Sequence, residues 1–482
     1  MEGGGRIRLV LAAAGIAGLA VVARLPFVSL PLTIDGAGYA EVARQWARGA
    51  TLYEDVWVDR PQSLLLVFRG LLHVGGGSTE TFRIAAALAG AVLAVLVFLV
   101  ALRLAGRRAA VAAGVLAAVA GSSPYIEAFT LNGELLAAIP ATAAILAFIV
   151  HQEREQAHWL VLAGLLAGFG LTLKQSAVDP LLAISAMLVL TQRRRALPSV
   201  LLFAGAALVP LAVSAAAASS PEAWWYAVVG YRGDGDSLLT GPLGYRIYLF
   251  LLSVPVITIG LGFLLAAAAL GRSRTPRLVH LWTLGAVVGI LGGGNFHAHY
   301  FIQLVPPLAV AGGIFVAHLF EAPRRARLLP VAALSAAAAV TLAATVPAYI
   351  GERRERTIAV FRSEHPLIGE WAAEYLEQHS APDDPVLVVP GEPIVHYLTE
   401  RPPLTPYLWY SNVRSIPGAM KQTLAIVAER RAAYIVVSRP AYYVDPSGEL
   451  NELLIENYRI VARRGPSSIL ARRAVPRPVA SR

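Results

Sequence analysis

The chain contains no cysteine, and only 15% of its 482 residues are charged. The first absence excludes disulfide frameworks and thiolate metal sites, so any exported part holds together without covalent staples. The second, beside 56% hydrophobic residues and a mean hydropathy of +0.59, excludes an ordinary soluble enzyme of this length. Residues 351–482 show no phosphate-cradling glycine-rich loop, no Gly-x-Ser-x-Gly elbow and no His-Glu-x-x-His pair. The paired repeats with matching broken helices that mark many transporters are also missing.

What the chain does have is a succession of apolar runs. They lie near residues 7–30, 82–102, 109–125, 135–150, 158–173, 177–191, 197–218, 246–270, 278–294, 299–319 and 328–348, eleven candidate spans. The first follows Arg6 and Arg8 and exceeds the roughly 7–15 residues of a signal-peptide core, so it reads as a span. Arg103, Arg107 and Arg108 follow the second run, residues 151–156 the fourth, Arg193 to Arg195 the sixth, Arg272, Arg274 and Arg277 the eighth, and Arg324, Arg325 and Arg327 the tenth. Every second loop is therefore basic, which predicts a multi-pass protein of the plasma membrane with a cytoplasmic N-terminus. The net charge of +10 then reflects topology and contact with anionic lipid, and nucleic acid is not an expected partner.

The expected fold is an α-helical polytopic membrane protein with a small C-terminal α/β domain outside the cell. Residues 1–350 form the membrane part, with a long first external loop over 31–81, and 351–482 the soluble part. In the latter, helical patterns near 366–379, 416–430 and 448–457 alternate with short apolar runs at Val386 to Val389, Tyr434 to Val437, Tyr458 to Val461 and Ser468 to Leu470.

The acids sit on the external side. Asp35 ends the first apolar run, where a carboxylate serves either as a catalyst at the water boundary or as a helix cap. After it, Tyr39, Val42, Ala43 and Trp46 share one helical face while Glu41, Arg44 and Arg48 point away, which predicts an interfacial helix ended by Gly49. Lys174 lies between two runs of only about 16 residues, each short of a full crossing. It either has an anionic partner below the headgroups or snorkels to the surface. Asp59, beside Arg60 and Pro61, is a turn acid or a functional one; Glu134 stands at the mouth of the fourth span. His297 and His299 follow three glycines, where backbone can approach closely. Gly233-Asp234-Gly235-Asp236 looks like a calcium-loop fragment but lacks the remaining ligands of an EF-hand, so it reads as a loop.

These pieces, in this order, carry a resemblance. Thr33-Ile34-Asp35-Gly36-Ala37-Gly38-Tyr39, then Gly49-x-x-Leu52-Tyr53, Asp59-Arg60-Pro61, Leu171-Thr172-Leu173-Lys174-Gln175 and His299-Tyr300 with Pro306 resemble the GT-C superfamily of membrane glycosyltransferases. The branch in question includes protein-O-mannosyltransferases and the aminoarabinose transferases of lipid A, and the resemblance covers roughly residues 7–410. It implies transfer of a sugar from a polyprenyl-phosphate carrier to an acceptor hydroxyl of a glycan, glycolipid or protein. Mannose is the common donor sugar of this family and arabinose-type donors the alternative. Asp35 becomes the general base, and Lys174, Arg60, His297, His299 and Tyr300 become the phosphate-binding set. The family often has Asp-Glu where this chain has Asp35-Gly36. A second acid or acceptor contact therefore has to come from Asp59, Glu134 or Tyr39. No cofactor is firmly implied, and a divalent metal stays open. The rival classes are a membrane transporter and a non-catalytic assembly protein of the cell envelope.

Overall fold

In the computed structural model, which describes residues 2–234, 242–389 and 391–473, helix forms over every one of the apolar runs. Among the described residues, seven helical stretches are long and apolar enough to cross a membrane. One of them, Thr79–Ala120, joins the second and third runs across a kink at Gly106, whose φ of +79° suits glycine. Another joins the sixth and seventh through the 3-10 turn Arg193–Arg195. Ala157–Leu173 and Arg277–Gly293 are shorter apolar helices. The stretch over 31–81 is not simply a loop: it holds the helix Ile34–Ala47 and a further apolar helix, Gln62–Gly75, whose 14 residues fall short of a crossing.

The chain divides into two compact units: Met1–Leu30, Arg60–Pro221 and Ser237–Val360 form one, while Pro31–Asp59, Glu222–Asp236 and Phe361–Arg482 form the other. Within the first, helices meet at small residues, as expected where lipid removes any hydrophobic gain from association. A Cβ added at Gly164 or Gly168 would stand 2.4 and 2.0 Å from the carbonyl oxygens of Phe203 and Ala207. This Gly-x-x-x-Gly pair brings Ala157–Leu173 against Ala196–Ala216. Gly313 does the same for Val305–Glu321, its virtual Cβ lying 2.6 Å from that of Ala113 on Thr79–Ala120.

In the second unit the predicted α/β pattern holds. Strands β1 (Val386–Val389) and β2 (Tyr434–Val437) pair in parallel; β3 (Tyr458–Arg464) and β4 (Ser467–Arg472) are antiparallel, in the order β1-β2-β4-β3. Leu387, Ile435, Leu450, Leu454 and Leu470 form the core between this sheet and its helices. Tyr231–Asp234 is helical, whereas Gly235 and Asp236 of the calcium-like fragment lie outside the described residues.

The helix Ile34–Ala47 departs from the interfacial reading. Glu41 is fully buried instead of solvated, bonded to Arg44 and to Gln45 at 2.7 Å. The cause is a partner some 350 residues away, the helix Pro393–Thr399, which packs on it and offers the His396 carbonyl to Arg44 at 2.9 Å. Burial pushes the Glu41 carboxyl up and holds the His396 imidazole down at about 4, with Arg44 adding to the latter.

Candidate active site

In the first unit, two helix ends and one 3-10 segment bring together groups far apart in sequence. Gly133–Arg154 starts at the Asn132 cap, whose side chain accepts from Leu135 N at 2.8 Å. Glu134 is thereby set in the first helical turn, where the helix dipole favours a carboxylate. The Lys174 ammonium meets it at 2.7 Å, and both side chains are almost wholly buried. Lys174 therefore does not snorkel. It also lies over the Tyr300 ring, 4.7 Å from the centroid. The segment Ala298–Leu304 supplies His299, whose Nδ1 contacts Glu127 at 3.0 Å and whose Nε2 is 3.8 Å from Glu134. His297 stacks beside His299 with centroids 5.7 Å apart.

Arg60 is near enough to act electrostatically on Glu134, as Arg83 is on Glu127. Of these groups, Lys174, Arg60 and Arg83 are permanent cations and Glu134 and Glu127 are the carboxylates. Five of the predicted phosphate-site residues, Lys174, Arg60, His297, His299 and Tyr300, thus belong to one unit, and Glu134 is bound up with them as counter-ion to Lys174. Arg83 and Glu127 join that cluster without having been read as phosphate-binding. Arg83 sits inside an apolar run, and its partner is a loop residue held at a φ of +51°.

The turn carrying Lys174 is held from below. Trp282 Nε1 donates to the buried Asp179 carboxylate at 2.7 Å, and Gln303 donates to Ser176 Oγ at 2.8 Å. A second Gly-x-x-x-Gly pair lets the turn sit down on Arg277–Gly293: a Cβ at Gly285 would be 2.8 Å from the Asp179 carbonyl oxygen, and one at Gly289 2.2 Å from that of Ser176. Gly289→Ala is accordingly expected to destabilise the protein by about 1–3 kcal/mol through overpacking. Gly292→Ala on the same helix has open space around its Cβ and is expected to cost nothing. Denaturant unfolding in detergent compares the two.

In the second unit, Thr33 caps Ile34–Ala47, its Oγ1 accepting from Gly36 N at 3.0 Å. Asp35 is therefore not the cap. It stands half-buried in the first turn, and its Oδ1 accepts from the Trp409 indole Nε1 at 2.9 Å. Tyr39 is buried, with its ring 5.8 Å from that of Trp409. Asp59 pairs with Arg232 at 2.7 Å. Beside that pair stands Tyr231, its hydroxyl raised by burial and by Asp59, with the Trp57 ring 4.8 Å away. Trp409 and Arg232 escaped the sequence reading. Two glycines inside a 14-residue helix were the available sign, since glycine there costs about 1 kcal/mol against alanine unless another group needs the space. Among the described residues, no group of three or more His, Asp or Glu side chains is placed to hold a metal ion.

Comparison with known proteins concerns the chain as a whole. Residues 59–220 match the family model described as dolichyl-phosphate-mannose-protein mannosyltransferase. No curated protein matches by sequence. Among solved structures, ArnT from Cupriavidus metallidurans bound to undecaprenyl phosphate aligns over 98% of this chain and 98% of that one, with a TM-score of 0.66 at 16% identity. The archaeal oligosaccharyltransferase AglB from Archaeoglobus fulgidus, in complex with an inhibitory peptide and a dolichol-phosphate, aligns over 99% of this chain and 75% of that one, with a TM-score of 0.51 at 13% identity. At such identities the structural likeness speaks for the fold, and the family model for residues 59–220. The chain is a polytopic α-helical protein with the fold of ArnT, and its residues 59–220 carry the pattern of the mannosyltransferase family model.

Proposed function

We propose that this protein moves a sugar from a polyprenyl-phosphate carrier to an acceptor hydroxyl on the external face of the plasma membrane. The observation that carries the reading is Lys174, a buried ammonium set among apolar helices beside Glu134, with Arg60 and His299 acting on the same carboxylate. An intramembrane cation of this kind is costly and calls for an anion. A lipid-borne phosphate is an anion that reaches such a depth. Mannose is the sugar the family model's description favours, with arabinose-type donors as the second choice.

In this mechanism the acceptor oxygen attacks the anomeric carbon, the bond from that carbon to the phosphate oxygen breaks, and the acceptor proton passes to Asp35. The leaving polyprenyl phosphate is already a stable anion, so no general acid is needed, in contrast to most glycosidases with their two carboxylates. Lys174, Arg60 and His299 stabilise its growing charge. Tyr39 and Asp59 serve as acceptor contacts, with Arg232 paired to Asp59. One displacement with one base inverts the anomeric configuration.

The assay uses purified protein in lipid with radiolabelled polyprenyl-phosphate sugars. The expected result is release of free polyprenyl phosphate with labelling of a glycan, glycolipid or protein fraction; no turnover with any such donor contradicts the proposal. The alternating arginine loops support a cytoplasmic N-terminus and an external C-terminal region. Because the chain has no cysteine, a single thiol introduced at position 400 should be labelled from outside cells with a permeabilised wall.

A further inference from the structure

We infer that Trp409 is a positioning residue for Asp35, so that the C-terminal part of the chain takes part in the transfer step. This rests on Asp35 being the base. A base on a two-bond side chain must be held to within a fraction of an ångström of its attack geometry, and Asp35 stands half-buried in the first turn of its helix. The indole N–H at 2.9 Å fixes one oxygen, Oδ1.

Three other features show that this contact is built in. A Cβ at Gly38 would lie 2.2 Å from indole Cζ2 and 2.7 Å from Cη2, so the helix is left bare where the ring rests. On the far side, Gly391 lets the chain leaving β1 approach the backbone of 408–410: a Cβ there would lie 2.4 Å from the Leu408 carbonyl oxygen and 2.7 Å from Tyr410 N. The segment before Trp409 is pinned to the chain that follows the helix, since Trp57 N donates to the Pro406 carbonyl at 3.0 Å and Trp57 bridges to Tyr407. Residues 405–410 thus grip both ends of the stretch that carries Asp35. A ring that merely filled space would need neither the N–H direction nor the two glycines.

The experiment replaces Trp409 with Phe and, by amber suppression, with 3-benzothienylalanine, which keeps ring size and puts sulfur in place of N–H. A donor to a carboxylate is a charge-assisted hydrogen bond, so both variants are expected to lose about 10- to 100-fold in kcat, with the lipid-donor KM within about twofold of the parent. Each change is then repeated on an Asp35→Asn background, where a residue acting through Asp35 has nothing left to position and no further loss is expected. A benzothienylalanine variant with parental kcat overturns the inference. So does a further 10-fold loss on the Asp35→Asn background, because the ring then works by another route. If Asp35→Asn itself keeps full turnover, the base assignment has failed, and the inference fails with it.

Discussion

Asp35→Asn should fold, insert and bind the lipid donor like the parent while turnover falls by on the order of 10²-fold or more. The amide keeps the shape and can still stand beside the Trp409 indole, but it cannot take a proton. Asp35→Glu should also be damaged, because one added methylene moves the carboxylate off an attack path that tolerates little displacement and away from the indole N–H. The informative comparison is with Asp59→Asn and Glu134→Gln in the same preparation. Asp59 is tied to Arg232 and Glu134 to Lys174, so each already has a partner for its charge. Their amides should weaken binding or stability more than the chemical step. Parental turnover in Asp35→Asn, with loss in either of the others, would mean that the base lies elsewhere.

The second large effect belongs to Lys174. In the proposed role it supplies a charge-assisted bond to the phosphate, and its removal is expected to cost about 10- to 100-fold in donor affinity. Simple truncation has a side effect that the structure makes explicit. Lys174→Ala leaves Glu134, 1% exposed, without its nearest cation, and breaking a buried pair in this way costs about 3–5 kcal/mol. The cleaner variant is Lys174→Met with Glu134→Gln, which removes both charges together and should be closer to the parent in thermal unfolding while still losing donor affinity. Lys174→Arg keeps the charge but changes the donor geometry, and should retain part of the activity. Binding of radiolabelled polyprenyl phosphate to the double variant at parental strength would remove Lys174 from the phosphate site.

Much of this was readable from residues alone, for a physical reason in each case. Hydrocarbon demands long apolar helices, so the runs from residue 7 to residue 348 could be counted directly. In the C-terminal part, alternation and turn residues placed all four strands to within three residues, since each strand's pattern is local. Lys174 stood out because a cation in an apolar context is costly wherever it ends up. What could not be read depended on pairs distant in the chain. Glu41 and Arg44 looked like a solvated face, and only the helix Pro393–Thr399 turns them into a buried pair. Trp409 is 374 residues from the carboxylate it contacts, and no spacing rule reaches that far. Gln62–Gly75 was hidden for a different reason: its 14 residues, Arg69 and His73 among them, are too few and too mixed to signal a crossing, so they passed as the end of a loop.

The central claim is a single displacement at the anomeric carbon, with polyprenyl phosphate leaving and Asp35 taking the proton. The anomeric configuration of the product tests it most directly, by NMR of the new glycosidic linkage formed from a donor of known configuration. The account predicts inversion. Retention would require a covalent or ion-pair intermediate and a second nucleophilic group, and would contradict it.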